Sequence, residues 1–249
     1  MKYFLYLLGF LPSIIWLLFY LRKDAHPEPN RKILKIFIYG IVVAYITIFL
    51  QIILQKSTER LNVAAVWFWV IEMFIGAGLI EESMKYSAVR FGMFGDKELD
   101  EPPDLVLYMI ISALGFAALE NILYLNQQVL NERTFSILSS HSALLPAKAT
   151  LQFLSWRFIS ATFLHALSSG VLGYFLALSF YYVKQKKLYT LLGIGLAAGF
   201  HGIYNWALVA LDDPYRKIIP IILLILLGSF VSYSLRKLKR LQSTCLLDA

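Results

Sequence analysis

Apolar residues in this chain fall in blocks of about twenty, and a helical block of that length, rising about 1.5 Å per residue, spans a bilayer's hydrocarbon core. Seven blocks can be drawn, at about residues 3–21, 33–54, 63–94, 105–125, 158–183, 188–211 and 218–235. They predict an all-α, polytopic transmembrane helical bundle of about seven spans. Short polar connections carry the turn residues Pro27, Pro29, Pro102, Pro103 and Pro214. Two stretches fit less simply. The third block is too long for one perpendicular helix. In residues 127–157 a moderately apolar core at 137–154, with Pro146 inside it, reads as a lid or loop. A re-entrant or interfacial segment and an eighth span are the alternatives there.

Composition narrows the class. The chain has 249 residues, 59% hydrophobic and 16% charged, against about 25% charged in a soluble domain. No polar segment is long enough to build a soluble module, so residues 1–249 read as one integral-membrane domain. The net charge of +7 does not point to nucleic acid, because the basic residues cluster at block ends. With the N-terminus outside, the inner face carries fourteen Lys and Arg and the outer face eight. The positive-inside rule therefore predicts N-terminus outside and C-terminus cytoplasmic. The basic run 236–240 suits anionic headgroups, making the lipid bilayer one partner. The single cysteine, Cys245, excludes an intrachain disulfide.

Charged and imidazole groups inside the blocks carry the chemistry. Glu81 and Glu82 are adjacent in the third block, with Lys85 one turn on. Insertion of one charged side chain at membrane depth costs roughly 2.5–3.5 kcal/mol, so such groups mark function by default. Glu120 with Asn121 lies in the fourth block, His165 in the fifth, and His201 in the sixth with Asn205 on the same helical face. Counted inward from their block ends, Glu120, His165 and His201 fall at a common depth of roughly 8–15 Å below the outer surface. Glu82 reaches that level only if residues 63–70 are interfacial and the span starts near Ile71. Trp67 and Trp69 would then sit in an aromatic belt.

These residue types support two hydrolytic arrangements. In one, Glu120, His165 and His201 ligate a zinc ion with a position left open for water, and Glu81 or Glu82 is the general base. In the other, no metal is used. Glu81 activates water while His165, His201 and Asn205 donate to the developing oxyanion. Lys85, Asn121 and Asn205 then serve as substrate-binding, oxyanion or supporting groups. The bland reading of the paired acids is a structural ion pair with Lys85, a poor trade of two buried acids for one base. His26 and His141 read as solvated loop residues. Gly195 and Gly199 read as a close-packing pair on the sixth span.

The ordered set Glu81-Glu82-Ser83-Met84-Lys85, Phe116-Ala117-Ala118-Leu119-Glu120-Asn121, His165 and His201 resembles the PrsW family of bacterial intramembrane proteases. The resemblance covers a core of about residues 20–239 and includes Glu28-Pro29. That family is distantly related to the CAAX prenyl endopeptidases and bacteriocin-processing enzymes. It implies a multi-pass peptidase of the cell membrane acting on a membrane protein substrate, with Glu81, Glu82, Glu120, His165 and His201 as its catalytic residues. Its best-known member makes the first cut in a membrane-anchored anti-sigma factor. Glu120 stands where the wider CAAX group has histidine, which makes prenylated substrates a poorer expectation.

Other readings remain at this level. Within the same class stands a CAAX-type processing enzyme or an immunity factor. From another class stands a proton or cation transporter with the same five groups as a relay. Transporters usually carry repeated halves, and the chain has no convincing internal repeat.

Overall fold

The computed structural model describes residues 2–22, 26–139 and 160–239, with side chains in 7–22, 26–126 and 160–239. In chain order the helices are α1 (Lys2–Leu21), α2 (Asn30–Arg60), α3 (Ala65–Val70), a π-helix π1 (Ile71–Ile80), α4 (Glu81–Met93), α5 (Pro102–Ser139), α6 (Ala161–Tyr181), α7 (Lys186–Ala210) and α8 (Tyr215–Leu238). A 3₁₀ turn, Val183–Gln185, precedes α7. No strand occurs among the described residues.

Five of these helices are long and apolar enough to cross a membrane: Asn30–Arg60, Pro102–Asn126, Ala161–Tyr181, Val183–Ala210 and Tyr215–Leu238. Leu7–Leu21 is a shorter apolar helix. Several helices overrun the apolar blocks. α2 begins at Asn30 and ends at Arg60, because backbone hydrogen bonding continues through polar residues that hydropathy counts as loop. Residues 137–139 prolong α5. The remainder of the expected lid, His141 included, lies outside the described residues.

α5 is the central helix. Its apolar stretch is 89% buried and that of α6 78%, against 33% for α2 and 28% for α8. The cause is legible in α5, where Leu105 to Leu119 is apolar nearly all round, a pattern that demands neighbours on every side. Helices in lipid gain little from hydrophobic contact with one another, so small residues that admit close approach decide the packing. At Gly115 an added Cβ would stand 2.1 Å from the Phe37 carbonyl oxygen. α2 and α5 thus touch backbone to backbone. Gly195 and Gly199 do not behave this way. A Cβ on either would meet nothing within 4 Å, so the expected close packing is absent among the described residues.

The third block is one helical run over 65–93. Ile71 (φ −63°, ψ −48°) and Glu81 (φ −62°, ψ −48°) keep helical dihedrals, so the winding changes without a break. A π-helix closes i→i+5 hydrogen bonds and is often found at functional sites. Its extra residue per turn shortens the axis, which eases the fit of a stretch too long for an ordinary helix.

At the opposite end from Trp67 and Trp69, polar contacts tie α2, α4 and α5 together. Lys35 Nζ donates to the Gly92 carbonyl at 2.7 Å. Tyr108 donates to Glu28, giving the Glu28-Pro29 corner a buried anchor. Lys32 bonds Asp96 and holds its carboxyl below the usual range. His26 is exposed, as expected, but lies 2.7 Å from a Glu101 oxygen.

Candidate active site

Four elements deliver the polar groups to one level. Glu81, Glu82 and Lys85 come from the first turns of α4, Glu120 from α5, His165 from α6 and His201 from α7. One close approach sets the meeting of α4 with α7. A Cβ on Gly78 would lie 2.5 Å from the Ala198 carbonyl oxygen. Four residues on from Gly78 and three on from Ala198, Glu82 and His201 meet. Glu81, Glu82, Lys85, His165 and His201 are at most 5% exposed, whereas the Glu120 side chain is 23% exposed and forms the open edge.

Hydrogen-bond partners assign the imidazole tautomers. Lys85 Nζ lies 2.8 Å from His165 Nδ1. An ammonium only donates, so Nδ1 accepts and Nε2 carries the proton, donating to Glu120 Oε2 at 2.7 Å. His201 Nδ1 faces Glu82 Oε1 at 2.9 Å. An ionised carboxylate only accepts, so that nitrogen is protonated and Nε2 keeps the lone pair. Glu81 Oε2 lies 3.8 Å from His165 Nδ1 and 3.8 Å from His201 Nε2. Both nitrogens therefore border one carboxylate oxygen, and His165 Nδ1 also accepts from Lys85.

Glu82 is fully engaged. Besides His201 it accepts from Lys85 at 2.8 Å, Ser168 at 3.1 Å and Ser169 at 2.6 Å. Lys85 also reaches Glu81 Oε2 at 3.3 Å and stands 4.4 Å from the Phe116 ring centroid, so its ammonium is held by acids, an imidazole and a π-face. The ion pair of Lys85 with the paired glutamates is thus real, but it is only part of a larger network.

The grouping whose ligand atoms lie within 4.8 Å of one another is Glu81, His165 and His201, all buried. The sequence expectation placed Glu120 there instead of Glu81. Glu120 sits on the far nitrogen of His165, as an orienting partner would. The donor set fits a divalent ion that takes the place of Lys85 on His165 Nδ1 and Glu81 Oε2: two imidazole nitrogens, a carboxylate oxygen, and a carboxylate behind each histidine. Charge agrees, since three carboxylates against one ammonium leave two negative charges for a divalent cation to offset.

Asn121 donates to Thr162 Oγ1 at 3.1 Å and is fully buried, joining α5 to α6 as a packing group. Asn205 is half-buried and makes none of the bonds above. Sequence reasoning missed Ser168, Ser169 and Gln51, whose amide reaches Glu81 Oε1 at 3.2 Å. The serines carried a signal, since they lie three and four residues after His165 on the same helical face.

A buried carboxylate and two imidazoles whose ligand atoms lie close enough to share one metal ion, inside a multi-pass helical bundle, define the class as a membrane protein with a candidate metal site. Residues 28–233 match the model of the PrsW family of intramembrane metalloproteases, and the chain belongs to that family. It is a membrane protease. It is 31% identical to Protease PrsW of Geobacillus kaustophilus over 192 residues, 77% of this chain and 73% of the relative. Protease PrsW of Bacillus subtilis is 28% identical over 237 residues, 94% of each chain. Protease PrsW of Clostridioides difficile is 32% identical over 127 residues, covering 50% of this chain and 52% of the relative. No solved structure matches.

Proposed function

We propose that this chain is an endopeptidase that hydrolyses a peptide bond of a membrane-bound protein, using Glu81, His165 and His201 to hold a zinc ion. One observation carries the reading: a nitrogen of each imidazole lies 3.8 Å from the same Glu81 oxygen. A zinc ion held there supplies Lewis-acid charge for the scissile carbonyl and the attacking water. Glu82 and Glu120 fix the two histidine tautomers. Glu82 is saturated by four donors, so it is not the base. Glu120, at the open edge behind His165 Nε2, takes the proton from the attacking water through one bridging water and returns it by the same route to the leaving amine as the C–N bond breaks. Lys85 compensates the buried acids.

The whole chain forms one domain of seven spans, with its N-terminus outside and the site in the outer half of the bilayer. A membrane-anchored anti-sigma factor is the first substrate to test, by resemblance to the family's best-known member. The family assignment weighs against a transporter.

The test pairs metal analysis with cleavage of a co-expressed substrate. Glu81→Gln and His201→Ala should lose both stoichiometric zinc and cleavage. Glu120→Gln should bind zinc about 10–100-fold more weakly and, at saturating zinc, still lose cleavage by about 10²–10⁴-fold, the range of general acid–base catalysis. Zinc retained in both Glu81→Gln and His201→Ala would overturn the ligand set. For orientation, a C-terminal reporter active only in the cytoplasm should be active, and its silence would reverse the topology.

A further inference from the structure

Gln51 is the only amide in the apolar block 33–54 of α2. Its Nε2 makes two hydrogen bonds, to Glu81 Oε1 at 3.2 Å and to the Gly76 carbonyl in π1 at 3.2 Å. Both partners are acceptors, so the nitrogen must face them, and its two N–H groups are both used. Gln51 is half-buried, and an amide withdrawn from water in an apolar seam costs free energy unless it is bonded in this way.

The consequence for Glu81 is rotational. The last torsion of a glutamate has broad wells and does not set the direction of the carboxylate plane by itself. With Oε1 tied to Gln51, Oε2 is left facing Lys85 at 3.3 Å and the two imidazoles at 3.8 Å. The tie is rigid because the Gly76 carbonyl braces the same nitrogen from the helical turn before Glu81. α2 is in turn held at a fixed distance by its backbone contact with α5 at Gly115.

We infer that Gln51 is a positioning residue, which sets the plane of the Glu81 carboxylate and thereby presents Oε2 to the metal. This rests on the reading of Glu81, His165 and His201 as the metal-holding set. Removing such a supporting bond typically weakens metal binding or activity 10–100-fold.

The experiment uses the detergent-purified full chain and Co²⁺ alone as probe. Gln51→Met keeps the length of the side chain and suits an apolar seam. It should bind Co²⁺ at least tenfold more weakly than wild type. At saturation its visible d–d bands should differ from those of wild type, and kcat should fall while KM holds. Gln55→Met, on the exposed face one turn away, should match wild type. Should Gln51→Met fail to fold, Gln51→Asn, one methylene short of both acceptors, should show the same weakening. Unchanged Co²⁺ affinity and spectrum in the folded Gln51 variant would overturn the inference and leave the metal site standing. Wild-type protein that binds no stoichiometric Co²⁺ would overturn both.

Discussion

Glu82→Gln should destabilise the protein far more than Glu81→Gln, although the two side chains are adjacent and equally acidic. The wild-type Glu82 carboxylate accepts from Lys85, His201, Ser168 and Ser169 at 2.8, 2.9, 3.1 and 2.6 Å. A glutamine offers one acceptor oxygen and an NH₂ group that must donate. The least costly arrangement turns the oxygen toward Lys85, His201 and Ser168, and rotates the Ser169 hydroxyl to accept. It still removes the charge from two charge-assisted bonds, each worth about 1.5–3 kcal/mol. It also leaves Lys85 with Glu81 as its remaining carboxylate bond, at 3.3 Å. Stripping one partner from a buried ion pair costs about 3–5 kcal/mol. Because Ser169 recovers part of the loss, we place the effect near the lower end, at about 3 kcal/mol. That corresponds to roughly 6–12 °C in midpoint for a chain of this size. Glu81→Gln leaves the shorter Lys85–Glu82 contact at 2.8 Å intact and should cost about 1 kcal/mol. Thermal unfolding of the metal-free proteins in detergent, followed by tryptophan fluorescence, measures both. A Glu82→Gln protein that melts with wild type while Glu81→Gln falls by 10 °C or so would refute the assignment of Glu82 as the orienting, saturated acid.

Backbone contact gives a further prediction. Gly115→Ala would place a Cβ 2.1 Å from the Phe37 carbonyl oxygen, so α2 and α5 must separate. Overpacking of this kind costs typically about 1–3 kcal/mol, and Gln51 is carried away from Glu81. The purified variant should fold less efficiently and bind Co²⁺ more weakly, whereas Gly195→Ala, which meets nothing within 4 Å, should match wild type in both assays.

Much of the architecture was open to a linear reading, for a physical reason. Lipid offers no hydrogen bonds to the backbone, so apolar blocks long enough to cross must be helical. Charged groups within them must then face one another. That reasoning singled out Glu81, Glu82, Glu120, His165 and His201, and it placed α1, α6, α7 and α8 to within three residues, whereas α2 and α5 run well past their apolar blocks. The π-helical winding of 71–80 was not legible there, because hydropathy reports the face a residue occupies and not the hydrogen-bond register. The Gly195/Gly199 expectation failed for a related reason: spacing alone does not say which face of a helix meets a neighbour.

The sequence by itself determined the class of protein and the cast of polar side chains, since the cost of burying charge in hydrocarbon leaves few uses for them. Only the tertiary structure decided their parts. It put Glu81 rather than Glu120 beside a nitrogen of both imidazoles, surrounded Glu82 with donors, and brought Gln51 across from α2. Those choices depend on distances of a few tenths of an ångström between different helices. Such distances are set by where small residues let backbones touch, and no periodicity along one chain segment records them.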